Sequence, residues 1–235
     1  MIKKYKYCDD DDYKDDAYRA LLSQFKDRQK FEAFYSSLNN LETKDEFLKV
    51  GSTYLSFVKN GNWHVNDPRS NHDVELLCTN SFKLVAIIAI IESLSNKNNV
   101  DFFEWLTNKD KSCLFPITDR SQLQKLYNEY KSEYGSIRRC KLFFANLSTP
   151  TKDKLRNLIT IDGEPVKTIE KVVEMIYKAR SDFAHVSNIT SEIGDWYHFA
   201  KDKNKEILWK RLSMDLLQNC FEEGIVIHFK NITTA

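Results

Sequence analysis

The run FKLVAIIAII, Phe82 to Ile91, constrains this chain more than any other stretch, because, Lys83 apart, it is apolar around the whole circumference of a helix. A helix with one apolar stripe can lie on a surface, whereas one that is greasy on every side has to be enclosed by others. With its flanks it predicts one long helix from Asp73 to Ser95, buried in the middle of a bundle. Its apolar centre, Leu84 to Ile91, falls well short of a membrane span. Six glycines and four prolines in 235 residues leave little material for tight turns, which favours long helices over a sandwich or barrel. The expected class is therefore all-α, a helical bundle.

Other segments supply its neighbours. Leu21, Leu22, Phe25, Phe31, Phe34, Tyr35 and Leu38 carry a helical period, predicting a helix from Ala17 to Leu38. Thr43 with Glu46 forms a capping box opening a second helix that Gly61 would close, although TYLSFV-KNGN-WHV would also serve as a β-hairpin. The acidic residues Asp9 to Asp12, Asp15 and Asp16 read as a helix entry or solvated face. Asn60 to Asn71 is polar and turn-rich, the best candidate boundary. Further helices are expected from Asp101 and over Asp119 to Ser132, with a break around Pro116. A connection follows from Thr149 to Val166, made of a short helix and the turn IDGEP. SNITSEIGDWYHFAKDKNK reads as a mobile link, Glu206 to Glu222 as a last helix, and IVIHF as a short extended tail.

A net charge of +1 gives no global pull toward nucleic acid, so any such binding has to come from a local patch. The densest candidate is Arg138, Arg139 and Lys141 beside Phe143 and Phe144, either a grip on a phosphate backbone or a basic helix turn over core phenylalanines. Five scattered cysteines without a CxxC pair suggest neither a disulfide framework nor a zinc knuckle. MIKKYKYCDDDD lacks the apolar core of a signal peptide, so a cytoplasmic chain without membrane contact is expected. His64 and His72-Asp73 are fragments of a metal-dependent phosphohydrolase set whose remaining members are missing; they read better as loop and cap residues.

Chemistry concentrates in VKTIEKVVEMIYKARSDFAHVSN, Val166 to Asn188. Ile169, Val172, Val173, Ile176 and Phe183 mark one apolar helical face. Beside it Tyr177, Arg180, Ser181, Ala184 and His185 share a second strip. Arg180 lies where the strips meet, a position at which a fixed charge is costly unless something anionic or polar answers it. Imidazole gives or takes protons near neutrality, and guanidinium grips phosphate oxygens in pairs, the minimum set for cleaving RNA at its own 2′-hydroxyl without a metal. On an ideal helix Arg180 and His185 point ~140° apart, so the arginine's reach or an unwinding near His185 is needed to bring them to one phosphate.

The string IYKARSDFAH resembles the signature of the HEPN superfamily of helical ribonucleases, an arginine, four to six residues with a polar one first, then histidine. Tyr177 and Ser181 resemble its Apea-like branch, as do the apolar helix closing on Glu92-Ser93-Leu94 and the Tyr-Gly-Ser before Arg138. The resemblance covers residues 74 to 223 and implies a HEPN-like helical domain over 71–235, preceded by an N-terminal mostly helical extension over 1–70. It implies a homodimer with a composite cleft in which His185 is general acid or base and Arg180 holds the scissile phosphate. Ser181 or Asp182 would orient them, and Glu92 would pair with Arg180. The expected products are a 2′,3′-cyclic phosphate and a 5′-hydroxyl, with no metal or cofactor, in an RNA-cutting toxin or antiviral defence effector that has an antitoxin or defence-system partner. Where the family has glycine after the histidine this chain has Val186, which leaves open a non-catalytic RNA- or protein-binding module on the same fold.

Overall fold

The apolar run becomes the axis of the structure. In the computed structural model, which describes residues 6–64, 71–94, 100–108 and 119–234, it forms the centre of α4 (His72–Ser93). Asn71 caps that helix by accepting from the Val74 amide at 3.0 Å. Leu84, Ile87, Ile88, Ile90 and Ile91 are buried, but the enclosure is incomplete: Phe82 and Ala89 stay exposed. With its flanks the helix runs to 22 residues, and among the described residues it alone is long and apolar enough to cross a membrane.

The N-terminal segment is helical, with two corrections. The helix predicted from Ala17 to Leu38 is broken: α1 (Asp11–Ala20) gives way to a short turn, and α2 (Arg28–Ser37) restarts where Asp27 caps the Lys30 amide at 2.9 Å. Next, α3 (Leu41–Tyr54) is capped by Asn40 through the Thr43 amide at 2.8 Å, not by Thr43 itself, and a π turn (Leu55–Lys59) extends it in place of a hairpin. The acidic run enters α1 behind the Asp10 cap. Gly51 lets α1 and α3 touch, since a Cβ there would lie 2.6 Å from the Ala17 Cβ and 2.7 Å from its Cα. Gly51→Ala should therefore destabilise: overpacking against backbone costs about 1–3 kcal/mol, offset by about 1 kcal/mol of helix propensity. Urea unfolding reads the net loss, and an unchanged midpoint would mean the helices part freely.

Downstream come α5 (Phe102–Thr107) and α6 (Arg120–Tyr134), joined by a small cluster around Trp105, Leu106 and Leu126, then α7 (Ser136–Ala145), α8 (Thr149–Asn157), α9 (Ile169–Val186) and α10 (Met214–Thr234). Residues 65–70 of the candidate boundary and the break expected around Pro116 lie outside the described residues. The structure is mostly helical yet not strictly all-α: the expected links hold β1 (Ile159–Ile161), β2 (Glu164–Pro165) and β3 (Tyr197–Asp202), and the start of the helix predicted from Glu206 is instead β4 (Lys205–Lys210). They pair antiparallel in the order β2-β1-β4-β3, with Trp209 buried opposite Ile159 and His198. The last helix consequently starts later than predicted, and IVIHF continues it instead of forming an extended tail.

One cluster runs from Ala17 to Phe229, with Phe47 edge-on to Phe229 at 5.2 Å and Tyr54 against Phe221 at 4.6 Å. The N-terminal helices are thus built onto α10, and they share its apolar burial.

Candidate functional site

Helix α9 starts where Thr168 caps the Lys171 amide at 3.3 Å, and buries Ile169, Val172, Val173, Ile176 and Ala179. Phe183 returns to that face but is only half-buried there: it meets the exposed Phe82 edge-on at 5.1 Å, and Phe82 in turn stacks on Trp63 at 4.1 Å. The helix stays regular through His185. Its first departure is Ser187, at φ 60°, whose amide bonds the Phe183 carbonyl.

Three of the predicted residues meet. The Tyr177 hydroxyl donates to Glu92 Oε1 at 3.1 Å, and Arg180 Nη2 lies 3.7 Å from Glu92 Oε2. The guanidinium sits 5.5 Å from the Tyr177 ring centre. Glu92 itself is fixed at the end of α4, where Arg139 Nη1 donates to its backbone carbonyl at 2.9 Å. Side-chain exposures of 16% for Arg180 and 20% for Glu92 make this a largely enclosed ion pair, yet 3.7 Å is too long for a hydrogen bond. Arg180 Nε is buried with no hydrogen-bond partner. The guanidinium is therefore neutralised but under-bonded, a state that leaves donors for another acceptor. Burial, then the Glu92 charge, raises the Tyr177 pKa, keeping the phenol a donor at neutral pH. The neighbouring Cys140 thiol is pushed up to about 12, mainly by burial, which makes it inert.

The other expected members stand apart. His185 is exposed in the last turn of α9, with no hydrogen-bond partner among the described residues. The unwinding that would have turned it toward Arg180 does not occur, so within one chain the two side chains leave the helix ~140° apart. Asp182 does not fix the imidazole; it pairs with Lys178 at 3.5 Å. Ser181 is half-buried beside them. The basic patch is dispersed: Lys141 is held by Glu174 at 2.6 Å, Arg139 by the Glu92 carbonyl, and Arg138 lines a cleft, while Phe143 and Phe144 are core. His64 faces Glu75 at 3.6 Å, and His72 opens α4.

Sequence reasoning missed what surrounds the motif. The segment after His185 is pinned to α4, with the Thr190 amide donating to Ser81 Oγ at 2.9 Å and Asn80 Nδ2 to the Ile193 carbonyl at 3.1 Å. Two polar residues inside a greasy helix were the available signal. Val186 and Ile189 remain exposed. Comparison with protein-family models, with curated proteins and with solved structures finds no match.

Proposed function

We propose that the protein is a metal-independent endoribonuclease of the HEPN type. The observation that carries this reading is the enclosed Arg180 guanidinium, held among the described residues by a long ion pair and the Tyr177 ring and with an unbonded Nε, on the same helix as an exposed histidine. A guanidinium in that state is suited to the non-bridging oxygens of a phosphate whose charge grows during reaction. His185 would take the proton from the 2′-hydroxyl, or give one to the departing 5′-oxygen. The 2′-oxygen attacks phosphorus and the 5′-oxygen leaves, which yields a 2′,3′-cyclic phosphate and a 5′-hydroxyl.

Because Arg180 and His185 diverge within one chain, the reading requires a homodimer in which each α9 supplies part of a shared cleft. The exposed Val186 and Ile189, and the Phe82–Trp63 stack, are apolar surface that a second copy would cover. A cytoplasmic toxin or defence effector held by an antitoxin-like partner fits this chemistry. The test combines gel filtration with end-group analysis of single-stranded RNA treated with the chelated protein. A dimer and cyclic phosphate ends are expected; a monomer that leaves RNA intact would remove the reading.

The same divergence favours a second reading, a non-catalytic RNA- or protein-binding module in which Glu92, Tyr177 and Arg180 only close a buried polar network. It predicts no cleavage under any condition and a loss of stability on Arg180→Ala.

A further inference from the structure

Between α4, α7 and α10 lies a cleft of about 420 Å³, within the range of small-molecule sites. Its walls are apolar, from Ile91, Leu94, Leu142 and Ile232, and two guanidiniums, Arg138 and Arg139, stand in it. No acidic side chain is among the described residues that line it. We propose that this cleft binds an aliphatic carboxylate of medium chain length, its head on the arginines and its tail along Leu142 and the α4 and α10 walls.

Three observations favour that ligand. Arg138 has no carboxylate partner among the described residues, and a guanidinium matches a carboxylate bidentately. The lining imidazole of His228 carries a buried Nε2 with no hydrogen-bond partner among the described residues, and burial lowers its pKa, so it adds a neutral polar atom beside the two guanidiniums. The walls then reward a hydrocarbon body, which a nucleic-acid backbone or free phosphate does not possess. Lys141, the third cation of the sequence cluster, is committed to Glu174 and takes no part. The site is independent of the nuclease reading, although Arg139 also holds the Glu92 carbonyl and thus joins the cleft to the Arg180 cluster.

Titration calorimetry with octanoate, decanoate and dodecanoate below their micellar concentrations tests the proposal, with decanol, inorganic phosphate and a short single-stranded RNA as comparisons. At least one carboxylate should bind at a single saturable site, with decanol and phosphate weaker by about tenfold or more. Arg138→Ala should weaken binding by a similar factor. Leu142→Glu, a change at a half-exposed position that places a carboxylate among the arginines, should abolish it while leaving the unfolding midpoint in place. The proposal is overturned if none of the three carboxylates binds, if decanol binds as tightly as decanoate, or if both variants bind like the wild type. It is equally overturned if the RNA displaces the carboxylate and loses affinity in the same variants, which would make the cleft a polyanion surface.

Discussion

Glu222→Ala should lower the unfolding free energy by about 3–5 kcal/mol, the cost of leaving a buried charge without its partner. Glu222, on α10, is 1% exposed; it accepts from the Tyr54 hydroxyl at 2.8 Å, pairs with Lys59 at 2.9 Å, and accepts from the Ser23 hydroxyl. One carboxylate therefore ties the turn after α1, the end of α3 and the π turn to the last helix. Lys59 is a quarter exposed, so water relieves part of the loss and places the value near the lower end of that range. At a few degrees per kcal/mol for a chain of this size, the melting temperature should fall by roughly 6–12 °C. Glu222→Gln, which can still accept from Tyr54, should lose less. The double variant Glu222→Leu with Lys59→Met removes both charges and should recover the ion-pair part of the loss, staying below the wild type by about 1–3 kcal/mol for the Tyr54 hydroxyl left without its acceptor. Equal urea midpoints for the wild type and Glu222→Ala would show that the network bears no load.

His185→Ala should reduce RNA cleavage by about 10²–10⁴-fold, the usual contribution of a general acid or base. Because the imidazole is exposed and unbonded, the variant should melt with the wild type, which separates chemistry from folding. Arg180→Ala should lose activity on a similar scale, about 10²–10³-fold for a removed charge-stabilising donor. It should also destabilise, because Glu92 would lose its cation and Tyr177 the guanidinium near its ring. Activity lost only in proportion to stability in Arg180→Ala, with His185→Ala fully active, would take both side chains out of the chemistry, whereas absence of cleavage by the wild type would favour the non-catalytic module.

The elements legible in the sequence were those whose period ran uninterrupted. Helix α9 had its apolar spacing and a Thr168 cap, and α4 had its greasy centre, so both were placed to within a few residues. The α1–α2 break was masked because Leu21, Phe25, Phe31 and Phe34 continue one helical period through it; only Asp27, a cap residue inside the pattern, marked the restart. The sheet was illegible for a different reason. Its strands are two to six residues long, and YHFAKD and KEILWK carry as many charges as a loop, with Trp209 their one deeply buried side chain.

The site divides in the same way. Tyr177, Arg180 and His185 lie on one helix and could be read together, and Glu92 entered through the ending of α4. Nothing local announces that Glu222 belongs with Tyr54, 168 positions away, or that Lys141 is answered by Glu174 from another helix. Helical wheels also treat every polar strip as exposed. Here the strip splits, with Arg180 enclosed against α4 and His185 in solvent.

The most direct measurement is the rate at which the wild type, His185→Ala and Arg180→Ala cut single-stranded RNA in excess EDTA. The account predicts that the wild type cleaves, leaving cyclic phosphate ends, and that both variants fall to a small fraction of its rate. Equal cleavage by all three proteins, or cleavage by none, would contradict it.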